Sequence, residues 1–242
     1  MREPVIISRP ALRIVRALVL YMLVGVLLAG CFGADNEAAQ KEAFREVLQK
    51  NILEKKGIRF PLLTQAQEKA LGPYVEKYNL LNALSQDTEL LQSFSGLPAL
   101  QQKLMKSMDP AEQKILIEQA GASMMDIKYK LMVAYAKIQD DKNALVLADD
   151  VKDLYDEAFL KVIQAPMDLL LDLIDDSLAA VQSATDLNDY LLEHPGSAKY
   201  RGSTVIIEKA EAEKDIQRLF GEYKKRSDKA LQTVRELNNL TW

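Results

Sequence analysis

One cysteine and one histidine stand in a chain of 242 residues, and these scarcities exclude most side-chain chemistry. His194 is alone. It builds no Ser-His-Asp set, and Glu193 beside it does not supply the carboxylates at matched spacing that a transition-metal site needs. Cys31 is the single thiol, so the chain holds no internal disulfide, and stability comes from packing. Glycine and proline are sparse, ten and eight. No Walker-type loop, no Gly-x-Gly-x-x-Gly turn and no nucleophile elbow appears. Positive charge is also short: 31 Lys and Arg face 35 Asp and Glu. Four of those basic residues and one of the acids lie in the first thirty positions, so the remainder carries a net charge of about −7. An acidic surface argues against nucleic acid as a partner and against electrostatic docking on anionic lipid.

What is present begins at the N-terminus. Arg2, Arg9, Arg13 and Arg16 form a basic leader, followed by an unbroken apolar run from Ala17 to Leu28. That run is shorter than the roughly 20 residues of a spanning helix. The sequence Leu28-Ala29-Gly30-Cys31 resembles the lipobox of bacterial lipoproteins. Small residues at Ala29 and Gly30 leave room for a peptidase, and the Cys31 thiol is the nucleophile that accepts a diacylglyceryl group. The resemblance implies cleavage after Gly30, with Cys31 as the lipidated first residue of the mature protein. Residues 1–30 are thus expected to be a signal peptide, 31–36 a tether and 37–242 a helical bundle domain. No cofactor is expected beyond the covalent lipid on Cys31. The anchor implies a membrane partner reached through lipid. Phe32 and Gly33, in place of an aspartate after the cysteine, favour the periplasmic face of an outer membrane.

Beyond the tether, Leu, Ala, Lys, Glu and Gln dominate, a composition of helices. Phe44, Val47, Leu48 and Ile52 predict a helix over about 37–56, stopped by Gly57. Thr64-Gln-Ala-Gln67 fits a capping box, and Gly72-Pro73 interrupts the helix it starts. Ser95 to Pro98 reads as a loop, with a short helix through Leu104. Asp109-Pro110 opens the strongest helix: Ile117, Ala120, Met124, Ile127, Leu131, Ala134 and Ile138 step by three and four, a bundle seam. Val151, Leu154, Ala158 and Val162 mark a helix that Pro166 breaks or kinks. Met167, Leu170, Ile174, Leu178 and Val181 carry the next, to about Leu192. A small β-hairpin fits 199–207, and a last helix runs from about Ile207 to Asn239. The expected fold is all-α: an antiparallel bundle of about five or six helices, some long, with that hairpin.

Within the bundle, Asp140-Asp141, Asp149-Asp150 and Asp175-Asp176 are acidic pairs, and Asp149, Asp150, Asp153 and Asp156 could attract a cation. They lack the glycine turn and spacing of a calcium loop, so solvated helix faces are the better reading. Met105, Met108, Met124, Met125, Met132 and Met167 are candidates for an adaptable apolar surface. Met124 lies on the seam and is expected in the core.

Cys31-Phe32, Lys41, Ala43-Phe44, Leu63-Thr64, Gly72-Pro73, Tyr78 and Ser85-Gln86, with a second block at Asp156, Ala158-Phe159, Lys161-Val162, Pro166 and Asp168, come in an order similar to the YiaF-like lipoproteins of proteobacteria. The family's function is unknown, so the resemblance implies an envelope lipoprotein and supplies no catalytic or binding residues. Arg201-Gly202 is less apolar than the family pattern.

Two functions remain, and an enzyme is not expected. The first is a protein-interaction or scaffold module with an unidentified envelope protein as partner, which requires an exposed apolar patch of several hundred Å² or so. The alternative is a module that holds a small apolar ligand or lipid, with Gly72-Pro73 and Pro166 splaying the helices. It requires an apolar pocket of about 300 Å³ or more.

Overall fold

A computed structural model describes residues 36–241 except Arg59, Gly202 and Ser203, with the side chains of Leu91 and Thr241 set aside. Leu28, Ala29, Gly30 and Cys31, with most of the tether, lie outside the described residues.

Helix α1 (36–53) closes in a π-helical turn, Leu48–Leu53. Phe44, Leu48 and Ile52 repeat every four residues and are buried on one face. Its last carbonyls have no partner within the helix. Lys161 supplies one, donating to the main-chain oxygens of Ile52 and Leu53 at 2.8 and 3.0 Å. At the other end of α1, Lys41 and Arg45 reach Asp150 at 3.1 and 2.8 Å. The helix is therefore fixed in register and direction along the one that starts at Asp149.

The capping box forms as expected: Thr64 and Gln67 bond reciprocally at the start of α2 (Gln65–Leu71). Gly72 then takes φ +53, and Pro73 leads into α3 (Tyr74–Leu80). The stretch through Leu104 divides more finely than its periodicity suggests, into α4 (Ala83–Gln86), α5 (Thr88–Phe94) and α6 (Leu97–Lys106). Asp87 restarts the chain by accepting the Leu90 N–H at 2.9 Å. The loop expected over Ser95 to Pro98 shrinks to a turn, because Pro98 suits the first turn of α6.

Helix α7 (Pro110–Asn143) is the spine, capped by Asp109, whose carboxylate accepts the Ala111 N–H at 3.0 Å. Helix α8 (Asp149–Phe159) runs through a π-helical turn, Leu160–Gln164, directly into α9 (Ala165–Glu193). Pro166 was expected to break or kink this helix. The wider turn ahead of it instead takes up the missing N–H, and Pro166 occupies the first turn of α9. The hairpin pairs β1 (Ala198–Arg201) with β2 (Thr204–Ile207), antiparallel, Tyr200 opposite Val205. Helix α10 (Glu213–Thr241) follows. It starts later than Ile207 because Thr204–Ile207 is spent on β2.

α7 and α9 pack antiparallel, as do α9 and α10. Lys114, Lys128 and Lys142, each two heptads from the next, meet Asp189, Asp175 and Asp156 along the α7 seam. Gly121 lets α7 approach closely: a Cβ there would lie 3.2 Å from Val181. Asp176, expected on a solvated face, is buried between α9 and α10, accepting from Lys229 at 2.6 Å and Thr233 at 3.2 Å.

The two ends of the bundle differ. At one, α1, α3, α8 and the last turns of α7 enclose Phe44, Tyr78, Ile138, Tyr155 and Phe159. The tyrosine hydroxyls there donate inward, Tyr78 to the Pro61 oxygen at 2.8 Å and Tyr155 to the Lys77 oxygen at 2.9 Å. Burial pushes the Tyr78 phenol up to about 12 and raises Tyr155 as well. The opposite end, beyond the middle of α9, is hollow.

Candidate functional site

α6 packs on α7, α7 on α9 and α9 on α10, so the four helices form an arc. On its inner side lies a cavity of about 810 Å³. Its walls are apolar: Leu100 and Leu104 of α6, Ile117 and Ile127 of α7, Leu173 and Val181 of α9, Phe220 and Val234 of α10. The space exists because inward positions carry small side chains. Ala120 on α7, Ser177, Ala180 and Ala184 on α9, and Ser227 and Ala230 on α10 all line it. Among the described residues no charged side chain does.

The hairpin closes one end with Tyr200 and Val205. Its position is fixed by Asn188, which is fully buried. The Asn188 amide donates to the Pro110 oxygen at 2.8 Å, and its own oxygen faces the Tyr200 hydroxyl at 3.4 Å. One side chain thereby joins α9, the start of α7 and the hairpin. Burial pushes the Tyr200 phenol up to about 12, so it remains a neutral donor at physiological pH. Gln113, also buried, donates to the Ser107 oxygen at 2.9 Å and holds α6 to the start of α7.

The mouth lies between α6 and α10. Met105 is 59% exposed and Leu231 54%, and both also line the cavity. α6 has no buried residue. Leu97 packs against the core beside Leu90 and Ile127, and Leu100 and Leu104 face the cavity, which makes α6 the least secured wall.

The methionines divide between surfaces. Met105 and Met124 line the cavity, Met167 is fully buried in the core with Leu131, and Met108, Met125 and Met132 are exposed. Met125 and Met132 join Ile115, Tyr129 and Val133 in an outward apolar stripe along α7. Of the acidic candidates, Asp140, Asp141, Asp149 and Asp153 are exposed on helix faces, as expected, whereas Asp150 and Asp156 join helices. Asp150 docks α1, and Asp156 accepts from Lys142 and Lys152 at 2.8 and 2.5 Å. Among the described residues no three His, Cys, Asp or Glu stand together as a metal site. His194 is exposed at the end of α9 and stacks on Tyr190 at 4.1 Å.

The cavity does not lie where the sequence placed it. Gly72-Pro73 and Pro166 were expected to open a pocket, and neither lines it. The readable signal was the run of small residues on the inner faces of α9 and α10, hidden because the same spacing also serves close helix packing.

The chain is an all-α protein with one small hairpin, solid at one end and hollow at the other. It belongs to the family described as "Protein of unknown function (DUF3053)", whose pattern matches residues 18–238. It is 29% identical over 174 residues to "Uncharacterized protein YiaF" of Escherichia coli strain K12, covering 71% of this chain and 72% of that protein. The YiaF proteins of Escherichia coli O157:H7 and Shigella flexneri match to the same extent. The chain is therefore a member of the YiaF-like family. No solved structure matches the chain significantly.

Proposed function

We propose that this protein is a cell-envelope lipoprotein, anchored by acyl groups on Cys31 and facing the periplasm, whose helical domain holds an apolar, acyl-chain-like molecule between α6, α7, α9 and α10. The observation that carries the ligand role is the cavity: its volume lies within the range of small-molecule sites, and its lining is apolar with a few hydroxyls. The anchor is supported by Cys31 at the one position the lipobox requires. Among the described residues no helix is long and apolar enough to cross a membrane. Two tests apply. Cys31→Ser abolishes labelling by palmitate analogues and blocks processing of the leader; continued labelling contradicts the anchor. Organic extraction of the purified protein yields a non-covalent acyl compound near one per chain, which Ala184→Phe, filling the cavity, loses. An equal yield from both proteins contradicts the ligand role.

A second reading has its own support. The stripe Ile115, Met125, Tyr129, Met132 and Val133 on the outer face of α7 suits a protein partner in the envelope. Tyr129→Glu would then abolish in-cell photo-cross-linking from position 125 to that partner and leave the cavity ligand in place.

A further inference from the structure

We infer that the cavity selects an amphiphile with one long acyl chain and an anionic head, the head held by Lys224 and Arg235 at the mouth. This rests on the reading of the cavity as an acyl-chain site. The tail follows from the walls, which among the described residues carry no charge and so exclude a charged group that would be left unpaired. Taking a methylene as about the size of a water molecule, about 30 Å³, the cavity holds about 27 such groups. That is room for one long chain and too little for two chains of about sixteen carbons each.

The head follows from α10. Tyr223, Ser227, Ala230 and Val234 form the helix's cavity face, and Leu231 stands at the edge where the cavity opens. Lys224 lies two turns before Leu231 on the same edge, and Arg235 one turn after. Both are exposed, and neither makes an ion pair among the described residues. Asp228 shares that edge, so the rim carries a net single positive charge. Across the mouth, Pro98, Gln101 and Met105 of α6 are uncharged. The Ser227 hydroxyl lies just inside the rim, placed to donate to a head-group oxygen. The chain's overall negative charge does not cancel this local attraction, because charges farther than about 10 Å are screened.

The occupant is not the chain's own lipid. α1 starts beside Asp150, at the first turn of α8. From there to Ala180 the α8–α9 helix is about 45 Å long at 1.5 Å per residue. The start of α1 is therefore far from the cavity, and we take the ligand to be a molecule separate from the acyl groups proposed on Cys31.

The test uses the full acylated chain on neutral phosphatidylcholine nanodiscs. It is exposed to a palmitate analogue bearing a photoreactive diazirine in the tail, to the matching primary alcohol, and to an anionic lysophospholipid with the same tail. Cross-links are mapped by mass spectrometry. Both anionic compounds label cavity residues such as Leu104 and Ala230 about fivefold more than the alcohol, the preference that two exposed charge contacts provide. A palmitate-only preference assigns the head to a free carboxylate, and a preference shared by both extends it to a phosphate. Lys224→Gln with Arg235→Gln brings the ratio to near one. Lys225→Gln, which removes the same charge from the outer face of α10, leaves it unchanged. Equal labelling of the cavity by all three compounds overturns the anionic head while the cavity site stands. Absence of cavity labelling by any of them overturns both.

Discussion

Replacing Ala184 by leucine tests the hollow end through the sign of a stability change. Ala184 sits on α9 with its side chain at the cavity wall. Leucine adds three carbons, and full burial of these would stabilise by about 2.4 kcal/mol at about 0.8 kcal/mol per group. Rotamer freedom lost on burial offsets about 0.5–1 kcal/mol. The wall borders an open mouth, so burial is incomplete, and helix propensity hardly changes. The net expectation is a gain of about 1 kcal/mol. In a close-packed interior the same substitution would cost about 1–3 kcal/mol through overpacking. Urea unfolding of delipidated protein, followed by the helical circular dichroism signal, separates the two. A gain raises the midpoint by about 0.4 M for a chain of this size, and Ala180→Leu, one turn earlier on the same wall, behaves alike. A fall in the midpoint for both variants refutes an unfilled cavity.

Three further outcomes follow from the packing. Asp176→Ala removes the carboxylate that accepts from Lys229 and Thr233. It costs about 2 kcal/mol in urea unfolding, since Lys229 returns to water but the α9–α10 link is lost; a change under about 0.5 kcal/mol contradicts the link. Gly72→Ala puts a Cβ at φ +53 and 2.4 Å from the Gln40 amide, which lowers stability by about 1–3 kcal/mol. If the loss comes from backbone conformation, Gln40→Ala in the same chain does not restore it. The Lys41 hydrogen bond, aided by Arg45, holds the Asp150 carboxyl below its ordinary range. Burial would raise Asp156, yet Lys142 and Lys152 outweigh it and hold it low too. Both groups therefore contribute stability that is complete above about pH 4 and is lost as pH falls through their lower folded values. Asp150→Asn lowers the unfolding midpoint at pH 7 and makes its decline toward pH 3 shallower; a parallel decline contradicts the role of this pair.

Local rules were legible wherever one residue decides the outcome. Asp109 and Pro110 start α7 where their chemistry places them, the Thr64–Gln67 box closes, and the α7 seam is buried at Ile117, Ile127, Leu131 and Ile138. The hairpin forms although Arg201 is polar, because on β1 only Ala198 and Tyr200 face inward. What was hidden depends on partners far away in sequence. Pro166 reads as a break until the π-helical turn before it is seen. Asp176 reads as surface until α10 covers it. The cavity was hardest to read: a small residue on a helix face allows close approach at Gly121 and leaves a void at Ala184, and only the neighbouring helix decides which.

If an acyl chain enters between α6 and α10, the methionines report on its entry directly. With methyl-labelled methionine, titration with palmitate shifts the NMR signals of Met105 and Met124, which line the cavity, and leaves those of Met125 and Met132 on the outer face of α7 in place. Shifts confined to Met125 and Met132, or no shift at any of the four, would contradict it.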